Sequence, residues 1–195
     1  MKILAFTGSM RAESLNRRLM LVAINRLKER GAEIAEVQLR DLKLPMFDED
    51  MEGELKAAGK PMPEPVVKLQ DLMLDADALL IASPEYNGSV TPALKNAIDW
   101  CSRRVDNDGP LACYRGKVAG LMATSGGRLG GIRGLPEVRR ILSGIGVHVI
   151  AQDFACPGAP MQTPDDWPDD MTRSGAHRVA DALYETTAAL LASRR

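Results

Sequence analysis

Five short apolar runs recur along the chain: Ile3 to Phe6, Ile34 to Leu39, Ala78 to Ala82, Val118 to Ala123 and Val147 to Ile150. Each reads as a buried strand, and strands apolar on both faces are covered on both sides. Amphipathic helical patterns lie between them. Strands of this kind belong to a parallel sheet layered by helices, so the chain is predicted to be α/β and doubly wound.

The connecting helices carry their own signals. Leu15, Leu19, Val22, Ala23 and Leu27 form one apolar stripe, with Arg17, Arg18, Lys28 and Glu29 outside it. Ser14 reads as the N-cap and Gly31 as the stop. A second clear helix starts at Thr91-Pro92 and runs to about Arg103, a third covers Leu135 to Ser143, and the last spans about Met171 to Ala192. Two stretches, Pro45 to Pro65 and Gln152 to Asp170, are rich in Pro and acidic residues and read as long loops. With no repeat and no linker, residues 1–195 are expected to form one domain.

Charge narrows the range of partners. The 25 Lys and Arg residues nearly balance the 26 Asp and Glu residues, for a net charge of −1, with no polybasic stretch. A nucleic-acid or anionic-membrane surface is therefore not expected, and an anionic ligand would have to be bound locally. The N-terminal apolar run falls far short of the ~20 residues that span a bilayer, so a cytoplasmic protein is expected. Cys101, Cys113 and Cys156 form no C-x-x-C pair, and His148 and His177 form no ligand motif, so neither disulfide nor metal chemistry is expected.

Three segments that leave strands carry binding chemistry. The first, Thr7-Gly8-Ser9-Met10-Arg11-Ala12-Glu13-Ser14-Leu15-Asn16, runs from a strand into a helix. Ser9, Arg11, Ser14 and Asn16 beside free helix N–H groups suit a phosphate dianion. It is neither a Walker A loop nor a G-x-G-x-x-G fingerprint. The second, Ser83-Pro84-Glu85-Tyr86-Asn87-Gly88, offers a rigid backbone edge and an aromatic face for a flat heterocycle, although an ordinary Asn-Gly turn accounts for it equally well. The third, Ser125-Gly126-Gly127-Arg128-Leu129-Gly130-Gly131-Ile132-Arg133, brings backbone close to a ligand or to a neighbouring element. Arg128 and Arg133 there are open to two roles, a ligand phosphate or structural ion pairs.

Together, Gly8-Ser9-x-Arg11-x-x-Ser14-x-Asn16, Pro84-Glu85-Tyr86-Asn87-Gly88 with Pro92-x-Leu94-Lys95-Asn96-Ala97-x-Asp99-Trp100, and Ser125-Gly126-Gly127-x-x-Gly130-Gly131-x-Arg133 resemble the NADPH-dependent FMN reductase family of flavodoxin-like proteins. The likeness spans residue 2 to about 150; the tail from Gln152 carries nothing diagnostic. It implies a five-stranded parallel sheet of order 2-1-3-4-5 in a three-layer sandwich, with FMN between the first and third strands. It further implies that Ser9, Arg11, Ser14 and Asn16 hold the FMN phosphate, that Pro84, Glu85, Tyr86, Asn87 and Gly88 meet the ring, and that Ser125, Gly126 and Gly127 close its pyrimidine side.

The activity implied is hydride transfer from NADPH or NADH to FMN and then, in a ping-pong sequence, to a small acceptor such as a quinone, with chromate, azo dyes or free flavin as further acceptors. No general acid or base is named. A homodimer or homotetramer is implied, for which the face around Ile98, Trp100 and Cys101 is one candidate contact and the buried core the other reading of Trp100. A non-enzymatic flavin sensor or carrier is the alternative. A flavodoxin-type carrier fits poorly with a charge of −1, and a phospho-receiver domain would need acidic residues where Gly8 and Ser9 stand.

Overall fold

The computed structural model describes residues 1–103, 108–159 and 168–194. Five parallel strands form one sheet: β1 (Lys2–Thr7), β2 (Glu33–Gln38), β3 (Ala78–Ala82), β4 (Val118–Thr124) and β5 (His148–Cys156). Their order is β2-β1-β3-β4-β5. In register, Ile3 lies beside Ile34 on one side and Ala78 on the other, and Ala78 beside Val118.

Alternate strand residues feed two cores. Leu4, Phe6, Leu79, Ile81, Ala119 and Leu121 face α4 (Glu64–Asp75), α5 (Pro92–Ser102) and α6 (Gly134–Gly144), while Ile3, Ala5, Leu80, Val118 and Met122 face α1 (Leu15–Glu29) and α7 (Asp170–Ala192). The doubly wound α/β architecture expected from the apolar runs, and the three-layer sandwich that the resemblance implies, are what the chain forms, but β2 is an edge strand in which only Val37 is buried, not a strand covered on both sides. The helices after β1 and after β3, α1 and α5, lie on opposite faces, so the loops leaving β1 and β3 part from each other and open a cleft at the carboxyl end of the sheet.

Both long-loop expectations need correction. Within Pro45 to Pro65 the chain forms α3 (Glu49–Ala57), and α4 begins at Glu64; the short α2 (Leu39–Leu42) precedes them. Asp48 caps α3 by accepting from the Asp50 and Met51 N–H groups. Ion pairs, rather than an apolar stripe, hold this helix. The buried Glu52 accepts from Lys56 and from Arg103 Nε at 2.6 Å, and Arg103 lies over the Phe47 ring.

The second stretch begins as strand, since β5 continues through Gln152 and Asp153 to Cys156. This is an edge strand with one open side, so its sequence is polar, and its register against β4 shifts between Ala119 and Leu121. Arg139 covers that irregularity, donating to the carbonyls of Val149 and Ile150 and to Asp153. The rest of that stretch includes residues 160–167, which lie outside the described residues.

The candidate contact face on α5 is internal. Ile98, Trp100 and Cys101 are buried, Trp100 Nε1 donates to Pro45 O, and the Phe47 ring meets the Trp100 indole edge-on at 5.1 Å. Cys101, Cys113 and Cys156 are free thiols, all buried. No described helix is long and apolar enough to cross a membrane, and no cluster of metal-ligating side chains occurs among the described residues.

Candidate active site

Three loops meet at the carboxyl end of the sheet, and each is tied to the other two. The loop after β1 is joined to the loop after β3 by Thr91, whose hydroxyl donates to Gly8 O at 2.7 Å and accepts from Leu94 N as the N-cap of α5. A Cβ on Gly8 would lie 2.8 Å from Thr91 Oγ1 and 3.0 Å from Leu94 Cβ, so only glycine allows this approach. The loop after β1 is joined to the end of β4 by Asn16, which exchanges two hydrogen bonds with the Thr124 backbone. The loops after β3 and β4 are joined by Glu85, which accepts from the backbone N–H groups of Arg133 and Gly134 and from Arg133 Nε at 2.6 Å.

Between these loops lies a cleft of about 200 Å³ lined by Ser9, Arg11, Leu15, Asn16, Pro84, Glu85, Tyr86, Thr124, Ser125 and Gly126. A second hollow of about 310 Å³, lined by Gly127, Arg128, Leu129, Gly131 and Arg133, shares Glu85 and Ser125 with the first. Taken together they reach the several hundred Å³ typical of cofactor sites. Larger hollows of about 620 Å³ and 400 Å³ lie over α4 and the edge strand β2. Those are walled by helix and edge-strand side chains rather than strand-end loops, and the arginine of the latter, Arg17, is already paired with Glu36 at 2.7 Å.

At one end, the cleft is suited to an anion. Ser9 Oγ accepts from Arg11 N, which leaves its hydroxyl proton to donate elsewhere. The exposed Arg11 guanidinium has no hydrogen bond or ion pair among the described residues. Ser14 caps α1 by accepting from Arg17 N, and no acidic side chain occupies the first turn of that helix. Its N-terminal partial charge is therefore uncompensated from within. By contrast, α3 carries Glu49, Asp50 and Glu52 in its first turn.

At the other end, the cleft is suited to a flat apolar group. Tyr86 is 46% exposed, and Met10, Leu129 and Ile132, each more than half exposed, stand on the same strand-end loops. Large apolar side chains left open around a cleft favour a ligand or partner that covers them. Tyr86 and Ser89 exchange backbone hydrogen bonds of 3.0 Å around Asn87 and Gly88, which have φ of 52° and 79°. This is a type I′ turn, and it holds the Tyr86 backbone rigid.

The structure thus brings eight sequence-predicted residues to the first cleft: Ser9, Arg11, Asn16, Pro84, Glu85, Tyr86, Ser125 and Gly126. Gly127 lines the adjoining hollow. Ser14, Asn87 and Gly88 line neither hollow, and the last two form the tip of the turn. Asn16 spends its amide oxygen and one amide proton on Thr124, leaving one proton for a ligand. Arg133 takes the ion-pair role that the sequence left open, bound to Glu85, while Arg128 is exposed and has no partner among the described residues.

Burial pushes the Glu85 carboxyl up, but the Arg133 side chain, the Arg133 N–H and the Gly134 N–H overcome this and hold it below the ordinary carboxylate value. The sequence reading missed Leu15, assigned there to the helix's apolar stripe, and Thr91 and Thr124, whose partners are distant in the chain.

Comparisons with known proteins give the chain's family and fold. An NAD(P)H-dependent FMN reductase of Pseudomonas aeruginosa is 36% identical over 148 residues, covering 75% of this chain and 72% of that protein. An NADPH:quinone oxidoreductase of Arabidopsis thaliana is 34% identical over 151 residues, covering 76% and 70% respectively. Among solved structures, a flavoenzyme NAD(P)H:(acceptor) oxidoreductase of Paracoccus denitrificans shares the fold with a TM-score of 0.71 at 24% identity, over 94% of this chain and 97% of that one. The NADPH-dependent FMN reductase family matches residues 1–160, which include all three strand-end loops, and the chain belongs to that family.

Proposed function

We propose that this chain is an NAD(P)H-dependent flavin oxidoreductase that passes electrons from a nicotinamide dinucleotide to a quinone through FMN held in the strand-end cleft. The observation that carries this reading is the meeting, in one cleft, of an arginine unpaired among the described residues, at an uncompensated helix N-terminus, with a slot bordered by exposed apolar side chains. Bound FMN supplies the two-electron chemistry that links a hydride donor to an acceptor.

The chain's own groups bind and orient. The Arg11 guanidinium, the Ser9 hydroxyl and the N-terminal N–H groups of α1 hold the phosphate, and Ser14 keeps that helix end in place. The remaining Asn16 amide proton is available to the same phosphate. Pro84, Glu85 and Tyr86 present their backbone edge to the ring, with Asn87 and Gly88 fixing the turn behind them, and Ser125, Gly126 and Gly127 bound its other side. The half-exposed Tyr86 leaves the cleft mouth open, so donor and acceptor can take turns at one face. No side chain is required as an acid or base.

The same reading extends outward. Arg128, unpaired among the described residues in the adjoining hollow, is the cation available to the 2′-phosphate of NADPH, which NADH lacks. Chromate, azo dyes and free flavin are small enough to use the same open face. We further propose that residues 1–195 act as one flavin-binding domain in the cytoplasm, and that a homodimer or homotetramer covers Met10, Leu129 and Ile132.

An anaerobic absorbance scan of FMN-reconstituted protein, before and after NADPH and then after benzoquinone, tests the central reading. The visible flavin band should bleach with NADPH and return with benzoquinone. A bound flavin that NADPH leaves unbleached would favour a sensor or carrier, and failure to bind FMN would overturn the site.

A further inference from the structure

Of the three ties between the strand-end loops, that made by Glu85 differs in kind. Thr91 and Asn16 are neutral, buried side chains that meet backbone carbonyl or amide groups at the foot of the cleft. Glu85 is a carboxylate that stands in the loop facing the proposed ring position and reaches across to the opposite loop. There it closes the open N-terminus of α6 through the Arg133 and Gly134 N–H groups and pairs with the Arg133 guanidinium. The opposite loop is shaped to receive it: Gly131 and Gly134 lie against Glu85 Cβ, and a Cβ on Gly134 would come within 3.3 Å of it. A side chain at Gly134 would crowd the root of the Glu85 side chain, whereas one at Gly131 would collide with Ala123 Cβ, 2.8 Å away, rather than with Glu85.

We infer that Glu85 is a positioning residue, whose side chain latches the loop 84–88 to the loop 125–134 through Arg133 and the α6 N-terminus, so that the flavin slot is preformed before the ligand arrives. Arg133 is thereby committed to the latch and does not read the nicotinamide phosphate. Preforming the slot spares the ligand the cost of ordering two loops, so loss of the latch appears as weaker flavin binding rather than as an altered choice of donor. This inference rests on the flavin reading above.

The test compares wild-type protein with Glu85→Ala, Arg133→Ala and the double variant. FMN and riboflavin are titrated by fluorescence quenching, and turnover with benzoquinone is measured with NADPH and with NADH. Arg133 is 61% exposed, so its replacement probes the latch without opening a cavity, and Glu85→Gln, which keeps the volume and one acceptor, serves if Glu85→Ala does not fold.

Glu85→Ala should weaken binding of FMN and riboflavin alike by about tenfold, Arg133→Ala, which leaves the two backbone donors to Glu85 in place, should weaken both by less, and the double variant should bind as Glu85→Ala alone does, because the Arg133 side chain acts only through Glu85. The ratio of kcat/KM for NADPH to that for NADH should stay at the wild-type value in Arg133→Ala. Full additivity in the double variant, or flavin affinity unchanged with only the melting temperature lowered, would overturn the latch. A fall in the NADPH preference of Arg133→Ala with FMN binding intact would do so too, and would make Arg133 the phosphate reader. If wild-type protein itself fails to bind FMN, the flavin reading falls; if it binds and the variants match it, only the latch falls.

Discussion

Asn16 and Thr124 are joined by two hydrogen bonds of opposite sense: Asn16 Nδ2 donates to Thr124 O at 2.9 Å, and Thr124 N donates to Asn16 Oδ1 at 3.0 Å. Both residues are buried, and 108 positions separate them in sequence. One amide side chain thus imitates a strand neighbour at the end of β4 and fixes the start of α1 to the third loop. Asn16→Ala would leave a buried N–H and a buried C=O unpaired, at a cost of about 2–4 kcal/mol to the protein without ligand. Urea denaturation of flavin-free protein should show this loss. An unchanged midpoint would mean that Asn16 serves the ligand alone.

Arg11 differs in that nothing in the described protein depends on it. Arg11→Ala should leave the unfolding free energy unchanged within about 0.5 kcal/mol, as for an exposed side chain. It should weaken FMN binding by about 1.5–3 kcal/mol, the range of a charge-assisted hydrogen bond. Riboflavin, which lacks the phosphate, should bind the variant and the wild type equally. Equal losses for both ligands in fluorescence titrations would place Arg11 at the ring instead.

These two residues show where sequence is informative and where it is not. Arg11 and Ser9 are legible because a guanidinium and a hydroxyl at a strand exit have few structural uses, and the strands β1, β3 and β4 are legible because every position but Lys2 is buried. Asn16, Thr91 and Glu85 carry equal weight in the site, yet their partners sit at Thr124, Gly8 and Arg133, and no local pattern announces a side chain that bonds to a distant backbone. The helix α3 escapes for a related reason. Its fastening is the ion pairing of Glu52 with Lys56 and Arg103, which leaves no apolar period to read. The outer half of β5 looks like loop because one side of that strand is open and polar.

Two helical glycines should respond to alanine with opposite signs. Gly53 in α3 has open space around it and Gly175 in α7 faces the ring of Phe154, three of whose carbons an added Cβ would overlap. Helix propensity alone favours alanine by about 1 kcal/mol. At Gly53 that gain is unopposed, so Gly53→Ala should stabilise the protein by about 0.5–1 kcal/mol. At Gly175 the rigid ring is packed under the helix, and overpacking costs about 1–3 kcal/mol, enough to reverse the sign. Thermal melts of the two variants should therefore move in opposite directions, and a raised melting temperature for Gly175→Ala would show that Phe154 can step aside.

Asp181 on α7 fastens that helix to α1, accepting from Arg26 Nε at 2.9 Å and Arg30 Nη1 at 2.7 Å. Partial burial pushes its carboxyl up, but hydrogen bonds from the two guanidiniums outweigh this and hold it below the ordinary value of 3.8. A carboxyl whose native value is depressed stabilises the fold wherever the unfolded chain is also ionised. Its contribution is therefore complete above 3.8 and is lost as the pH falls through the lower native value. Asp181→Asn should be less stable than wild type at pH 7 and by the same margin at pH 5, with the gap closing only below 3.8. Urea midpoints for both proteins at pH 7, 5 and 3 decide the matter: a gap already closed at pH 5 would show that the native carboxyl is not depressed and that the arginines pack against Asp181 without favouring its charge.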